Sequence, residues 1–311
     1  MTSSVLPTIL EKRIATFSKV ISLIFMIFGV GAAVAQILKI SPLLESYPGW
    51  DWNLSNILAL ILGIVLFIVG KRTTVTKAVY YSLFSRKETM KRFLFSLPIS
   101  ATLLVIVIVK LILGKDNPSY IKIMGEGGFV EYGTAIAYIL AFSFSVPIAN
   151  YFLKRGQKQL SIFYYLLSIF LIFIGLEEIS WGQGIIGWGL PDFFQSYNVQ
   201  EETTIHNLVW FHYHSRDAII LVSLVGSIGW LVSFCKQNPK FNQFSKFLFP
   251  DWFLSSFFIV SLIVSILLKF QDTLVFFIPK DQEFAELILS LGFLLFVVIN
   301  YFRQSLKFRE E

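Results

Sequence analysis

The 311-residue chain carries 26 Lys+Arg against 20 Asp+Glu, a formal net charge of +6, with 55 % hydrophobic and only 15 % charged residues. A soluble domain carries roughly a quarter charged and about 45–50 % apolar residues, so this composition excludes an ordinary soluble globule, and with it a disordered chain, a collagen and a disulfide scaffold. What it leaves is a polytopic membrane protein.

The predicted elements are helices. A bilayer is crossed by about 20 mostly apolar residues rising 1.5 Å each. Runs of that kind recur at Phe17–Leu38, Leu54–Gly70, Phe93–Leu113, Gly128–Phe152, Leu160–Leu176, Ala218–Phe234, Trp252–Phe270 and Phe284–Tyr301. The expected fold is therefore an all-α transmembrane helix bundle of about eight spans. Seven or nine stay open, because the second run is short and Leu274–Ile278 either lengthens the seventh or lies at the interface before Pro279. The first run follows Glu11, Lys12 and Arg13 and outlasts a signal core, so it reads as an uncleaved span. With no internal repeat, linker or soluble insert, residues 1–311 are expected to form one integral membrane domain.

Loop charge orients the spans, because Lys and Arg accumulate on the cytoplasmic side. One side takes Lys12 and Arg13, the cluster from Lys71 to Arg92, then Lys154, Arg155 and Lys158, Lys236, Lys240 and Lys246, and finally Arg303, Lys307 and Arg309. The other receives only Lys39, Lys115, Lys122, Arg216 and Lys280, while Lys19, Lys110 and Lys269 fall inside spans or near their ends. Both termini are thus expected in the cytoplasm. Most acids and all three histidines fall on the opposite face, where any chemistry is expected. The basic inner side reads as topology and attraction to anionic membrane lipids rather than nucleic-acid binding, for which no motif is present. The single Cys235 forms no intramolecular disulfide and fits no metal-ligand spacing.

The long outer segment, 177–217, opens with Glu177-Glu178-Ile179-Ser180-Trp181-Gly182-Gln183 directly after an apolar run. Two adjacent carboxylates there are costly if charged and dry, so they should face a polar cavity, pair, or share a proton. Gly184, Gly187, Gly189 and Pro191 break the helix, and the apolar residues among them suit a partly re-entrant or interfacial segment. An interfacial Trp belt with turn glycines and solvated acids fits the same residues. Next comes Asn198-Val199-Gln200-Glu201-Glu202-Thr203-Thr204-Ile205-His206-Asn207. If it is helical, Glu202 and His206 share a face, a spacing that suits a shared divalent metal ion or a carboxylate-oriented imidazole. His212 and His214 read as interfacial side chains beside Trp210. Acids are favoured in a first helical turn, which accounts for Glu126 and Glu283 without a site. Glu131 and Glu286 sit deeper in their helices, where an ionisable group should face the bundle interior, so these two are expected to converge on Glu177 and Glu178.

The segment from Glu177 to Gln183, followed by Asn198 to Asn207, resembles an uncharacterised family of bacterial multi-pass membrane proteins with E-E-I-S-W-G-Q-R followed by N-x-Q-G-E-T-N-L-H-N. The resemblance implies a bacterial inner (plasma) membrane and makes Glu177, Glu178, Ser180, Trp181, Gln183, Asn198, Gln200, Glu202, His206 and Asn207 signature positions; it implies no activity. The chain departs from the pattern at Gly184, Glu201 and Thr204. The missing Arg at 184 removes a fork of donors suited to an anionic group.

Three functions compete. One is a metal-assisted hydrolase or transferase acting on a lipid or lipid-linked substrate, with Glu177 or Glu178 as general base or metal ligand and Glu202 and His206 completing the site. The others are a non-catalytic scaffold or assembly protein, with protein partners unspecified, and a transporter or proton pathway. No H-E-x-x-H, G-x-S-x-G or P-loop decides among them.

Overall fold

The computed structural model describes residues 64, 88–125, 128–183, 189–198, 202–205, 207–234, 239–271 and 276–307. The chain divides into two units, Met1–Lys91 and Arg92–Glu311, and the second holds almost all of the described residues. The first two expected spans, Phe17–Leu38 and Leu54–Gly70, lie outside them, Ile64 excepted.

The described residues are helical, with no strand among them. Helix α1 (Thr89–Thr102) continues through a π-helical stretch, Leu103–Val109, into a last turn, Lys110–Leu113, and stops at Gly114 with φ of 90°. Helix α2 (Pro118–Met124) starts where Asn117 accepts a hydrogen bond from the Ser119 N–H at 2.9 Å and Pro118 supplies a pre-set φ. Helix α3 (Phe129–Lys154) returns through a turn at Gly156 into α4 (Lys158–Glu177). The outer segment adds a short α5 (Asp192–Tyr197) before α6 (Val209–Ile228). Then come α7 (Pro239–Leu248), α8 (Ser255–Lys269) and α9 (Asp281–Lys307).

Among the described residues, six stretches are long and apolar enough to cross a membrane: Thr89–Leu113, Pro118–Lys154, Lys158–Glu177, His214–Val232, Phe244–Lys269 and Asp281–Gln304. They coincide with the last six runs read from the sequence, and they are compatible with an integral membrane protein. Their outward faces are apolar: Leu111, Ile112, Leu166, Ile169 and Leu221 are each more than 60 % exposed. Water would not tolerate that surface, whereas lipid tails would. The interior is richer in small polar residues, with Ser145, Ser161, Ser168, Ser223, Ser256, Ser261 and Ser265 all buried. Ser145 and Ser168 join α3 to α4 at 2.5 Å, Ser161 donates to the Ala149 carbonyl at 3.0 Å, and Ser223 donates to Ser261 at 3.2 Å. Small residues let helices approach closely where the hydrophobic effect no longer drives packing.

Cross-helix contacts fix the directions. Ser145 meets Ser168 and Gly175 faces Ala135, so α3 and α4 run antiparallel. Ser223 meets Ser261 and Gly226 faces Phe258, so α6 and α8 do too. Gly133 faces Leu287 and Tyr138 packs on Phe293, so α3 and α9 run parallel with their N-termini at the same end. The start of α3, the end of α4 and the start of α9 therefore meet at one end of the bundle. Phe258 is seated between Gly226 on α6 and Gly292 on α9. A Cβ on Gly226 would fall 2.1 Å from the Phe258 ring. Gly226→Ala is expected to destabilise the bundle by about 1–3 kcal/mol, the usual cost of overpacking, read as a lower unfolding midpoint in detergent.

Candidate functional site

Glu177 and Glu178 sit where α4 ends, and successive residues there point about 100° apart, so the two carboxylates go to different places. Glu177 is 2 % exposed and turns toward the outer segment. Its Oε1 accepts from Trp181 Nε1 at 2.5 Å and its Oε2 from the Ile205 N–H at 2.8 Å. The backbone between is forced into the left-handed region, with φ of 48° at Ser180, 55° at Trp181 and 84° at Gly182. Only the last of these is a glycine, so the turn is strained and must be held by its contacts. The contacts are present. Ser180 donates to Glu202 Oε2 at 3.0 Å, Asn207 Nδ2 donates to the same oxygen at 3.3 Å, and Gln183 Oε1 accepts from Thr203 N and Oγ1, both at 2.7 Å. Asn198 Nδ2 donates to the Thr204 carbonyl at 2.9 Å. Glu177, Ser180 and Gln183 thus fasten Ile205, Glu202 and Thr203 to the end of α4.

Glu202 to Ile205 is bent rather than helical, and α6 begins only at Val209. His206 and Gln200 lie outside the described residues, as does Glu126. His214 is exposed.

Glu178 turns the other way, into the bundle. One carboxylate oxygen each of Glu178, Glu283 and Glu286 lies within 4.8 Å of the others, all three half-buried. Enclosure by protein, and then the neighbouring carboxylates of Glu286, Glu283, Glu131 and Glu177, push the Glu178 carboxyl well above its usual range. Glu131, in the first turn of α3, is thus part of the same electrostatic neighbourhood. Glu178 thus lies beside Glu283 and Glu286, whereas Glu177, expected to join them, is engaged by Trp181 and Ile205. Glu202 is instead engaged by Ser180 and Asn207.

The first turn of α9 is where three parts of the fold meet. Asp281 is fully buried and pairs with Lys110 Nζ at 2.5 Å, both side chains at most 1 % exposed. It also accepts from Tyr120 Oη at 2.6 Å and from the Ile278 N–H at 3.0 Å, while Lys110 donates to the Phe276 carbonyl at 3.1 Å. The next residue, Gln282, accepts from Arg216 Nε at 3.1 Å and donates to Glu286 Oε1 at 2.9 Å. Sequence reasoning missed Lys110, Asp281, Gln282 and Glu283. One signal was available: an ionisable residue inside a span demands a partner, and Lys110 is such a residue.

An oxygen-only donor set of this spacing suits a hard divalent cation. Such ions bind oxygens at about 2.0–2.6 Å, so two ligands across one ion are at most about 5 Å apart. The described residues form an all-helical bundle, compatible with a multi-pass membrane protein, with a carboxylate cluster at one end of it. A comparison with protein families, curated proteins and solved structures finds no match to this chain.

Proposed function

We propose that the protein is an integral membrane enzyme of about eight spans with both termini cytoplasmic, in which Glu178, Glu283 and Glu286 hold a divalent cation on the extracytoplasmic face for hydrolysis or group transfer on a lipid or lipid-linked substrate. The convergence of three carboxylates from two helices carries the reading. Three carboxylates so close repel one another unless a cation or protons intervene. Bound at this end of the bundle, a divalent ion would polarise a substrate oxygen or lower the pKa of a water. Glu131 adds negative charge that favours the cation, and Glu202, Thr203 and Ile205 are hydrogen-bonded to the end of α4 beside it.

A second reading, a non-catalytic membrane scaffold with the outer segment as a cap, is favoured by the hydrogen bonds that tie Glu177, Ser180 and Gln183 to Ile205, Glu202 and Thr203. One assay separates the two. Protein reconstituted in liposomes with lipid-linked phosphoesters should release a water-soluble product in the presence of Mg²⁺ or Mn²⁺, and Glu283→Gln should lower the rate at least 100-fold, as loss of a metal ligand does. Equal, cation-independent rates in both proteins would favour the scaffold.

A further inference from the structure

We propose that Arg216 is a positioning residue of the carboxylate site, acting through Gln282 to fix the orientation of the Glu286 carboxylate. The inference rests on the reading of that cluster as the functional site. Arg216 lies in the second turn of α6. Its guanidinium is held on two sides, by Nη1 donating to the Leu268 carbonyl near the end of α8 at 3.1 Å and by Nε donating to Gln282 Oε1 at 3.1 Å.

The chemistry of those groups leaves one arrangement. A guanidinium has donors only and keeps its charge, so the oxygen of the Gln282 amide must face it. The amide NH₂ then faces the opposite way, and Nε2 donates to Glu286 Oε1 at 2.9 Å. A reversed amide would set NH₂ against the guanidinium and oxygen against the carboxylate, two repulsive contacts in place of two attractive ones. Arg216 on α6 therefore selects the amide orientation, and the amide in turn holds one oxygen of Glu286 on α9. Gln282 and Arg216 are both half-buried, which shields these bonds from competing water. Groups that hydrogen-bond to metal-ligating carboxylates are worth about 10–100-fold in metal affinity.

The test uses the full chain in lipid nanodiscs, with Mn²⁺ as the probe and ¹⁵N-labelled glutamine. The Gln282 side-chain amide signal is identified by its loss in Gln282→Met. Arg216→Met is expected to weaken Mn²⁺ binding about tenfold or more and to speed exchange of the Gln282 amide protons; Arg216→Lys, also a donor without an acceptor, should stay nearer wild type in both. A purely structural role for Arg216 would lower the melting temperature of cation-free Arg216→Met and leave the Mn²⁺ affinity of its folded fraction unchanged. That result overturns the inference. If the wild type binds no Mn²⁺, the proposed function fails by itself and the amide decides the relay. Slow exchange in wild type with fast exchange in Arg216→Met sustains it, and equal rates overturn it.

Discussion

Lys110→Met and Asp281→Asn, each made alone, are expected to destabilise the protein by about 3–5 kcal/mol, the usual cost of leaving one partner of a buried ion pair uncompensated. The pair joins the end of α1 to the start of α9 with both side chains at most 1 % exposed, so no water can replace the missing charge. Tyr120, Phe276 and Phe277 surround the ammonium, their ring centroids 4.9–5.8 Å from Nζ, in cation–π contact with it. The double variant Lys110→Met with Asp281→Asn should recover most of the loss. It removes both charges together and keeps an oxygen at 281 to accept from Tyr120 or Ile278, and replacing a whole buried pair by neutral groups is often close to neutral. Unfolding midpoints of the four proteins in a mild detergent check this. Single variants within 1 kcal/mol of wild type would show that the pair is not the tie the geometry describes.

The second large effect concerns Glu178 and changes sign with the cation. Without a divalent ion, Glu178→Gln is expected to stabilise the fold, because it removes a carboxyl that burial and four neighbouring carboxylates make costly to ionise. Linkage gives the pH dependence. The folded-state pKa lies above the unfolded one, so as pH rises past the ordinary carboxylate range the unfolded chain releases this proton while the folded chain keeps it. Stability of the cation-free wild type therefore falls with rising pH, by at most about 1.4 kcal/mol per pH unit for one proton, until the folded group also ionises. Glu178→Gln should flatten that slope. With a divalent ion present the order reverses, because a ligand that binds only the folded state stabilises it by mass action and the variant has lost a ligand. Melting curves of both proteins from pH 5 to 8, with and without Mn²⁺, carry the comparison; parallel curves in all four series would contradict it.

Helices that face lipid need long apolar runs, and this is why the spans of the described region are legible in the sequence. The site is legible only in part. Two carboxylates closing an apolar run announce that something polar lies at the end of α4, yet the sequence treats Glu177 and Glu178 alike. Their separation, one to the loop and one to the bundle, comes from the direction in which each leaves the last helical turn. Glu202 reads as a ligand beside His206 if the segment is helical, but Thr203 and Thr204 turn their backbone toward Gln183 and Asn198 and the helix does not form there. Glu283 hides behind a sufficient local explanation, the preference for acids in a first helical turn, and only the approach of Glu178 to that turn shows it beside two other carboxylates. The partner of Lys110 is 171 residues away, a pairing that no local pattern encodes.

The most direct test is elemental mass spectrometry of the detergent-purified protein after equilibration with Mg²⁺ or Mn²⁺, for wild type beside Glu178→Gln and Glu283→Gln. The account predicts close to one divalent ion per wild-type chain and its loss from both variants while their helical content is retained. A folded wild type that takes up no ion, or the same ion content in all three proteins, would contradict it.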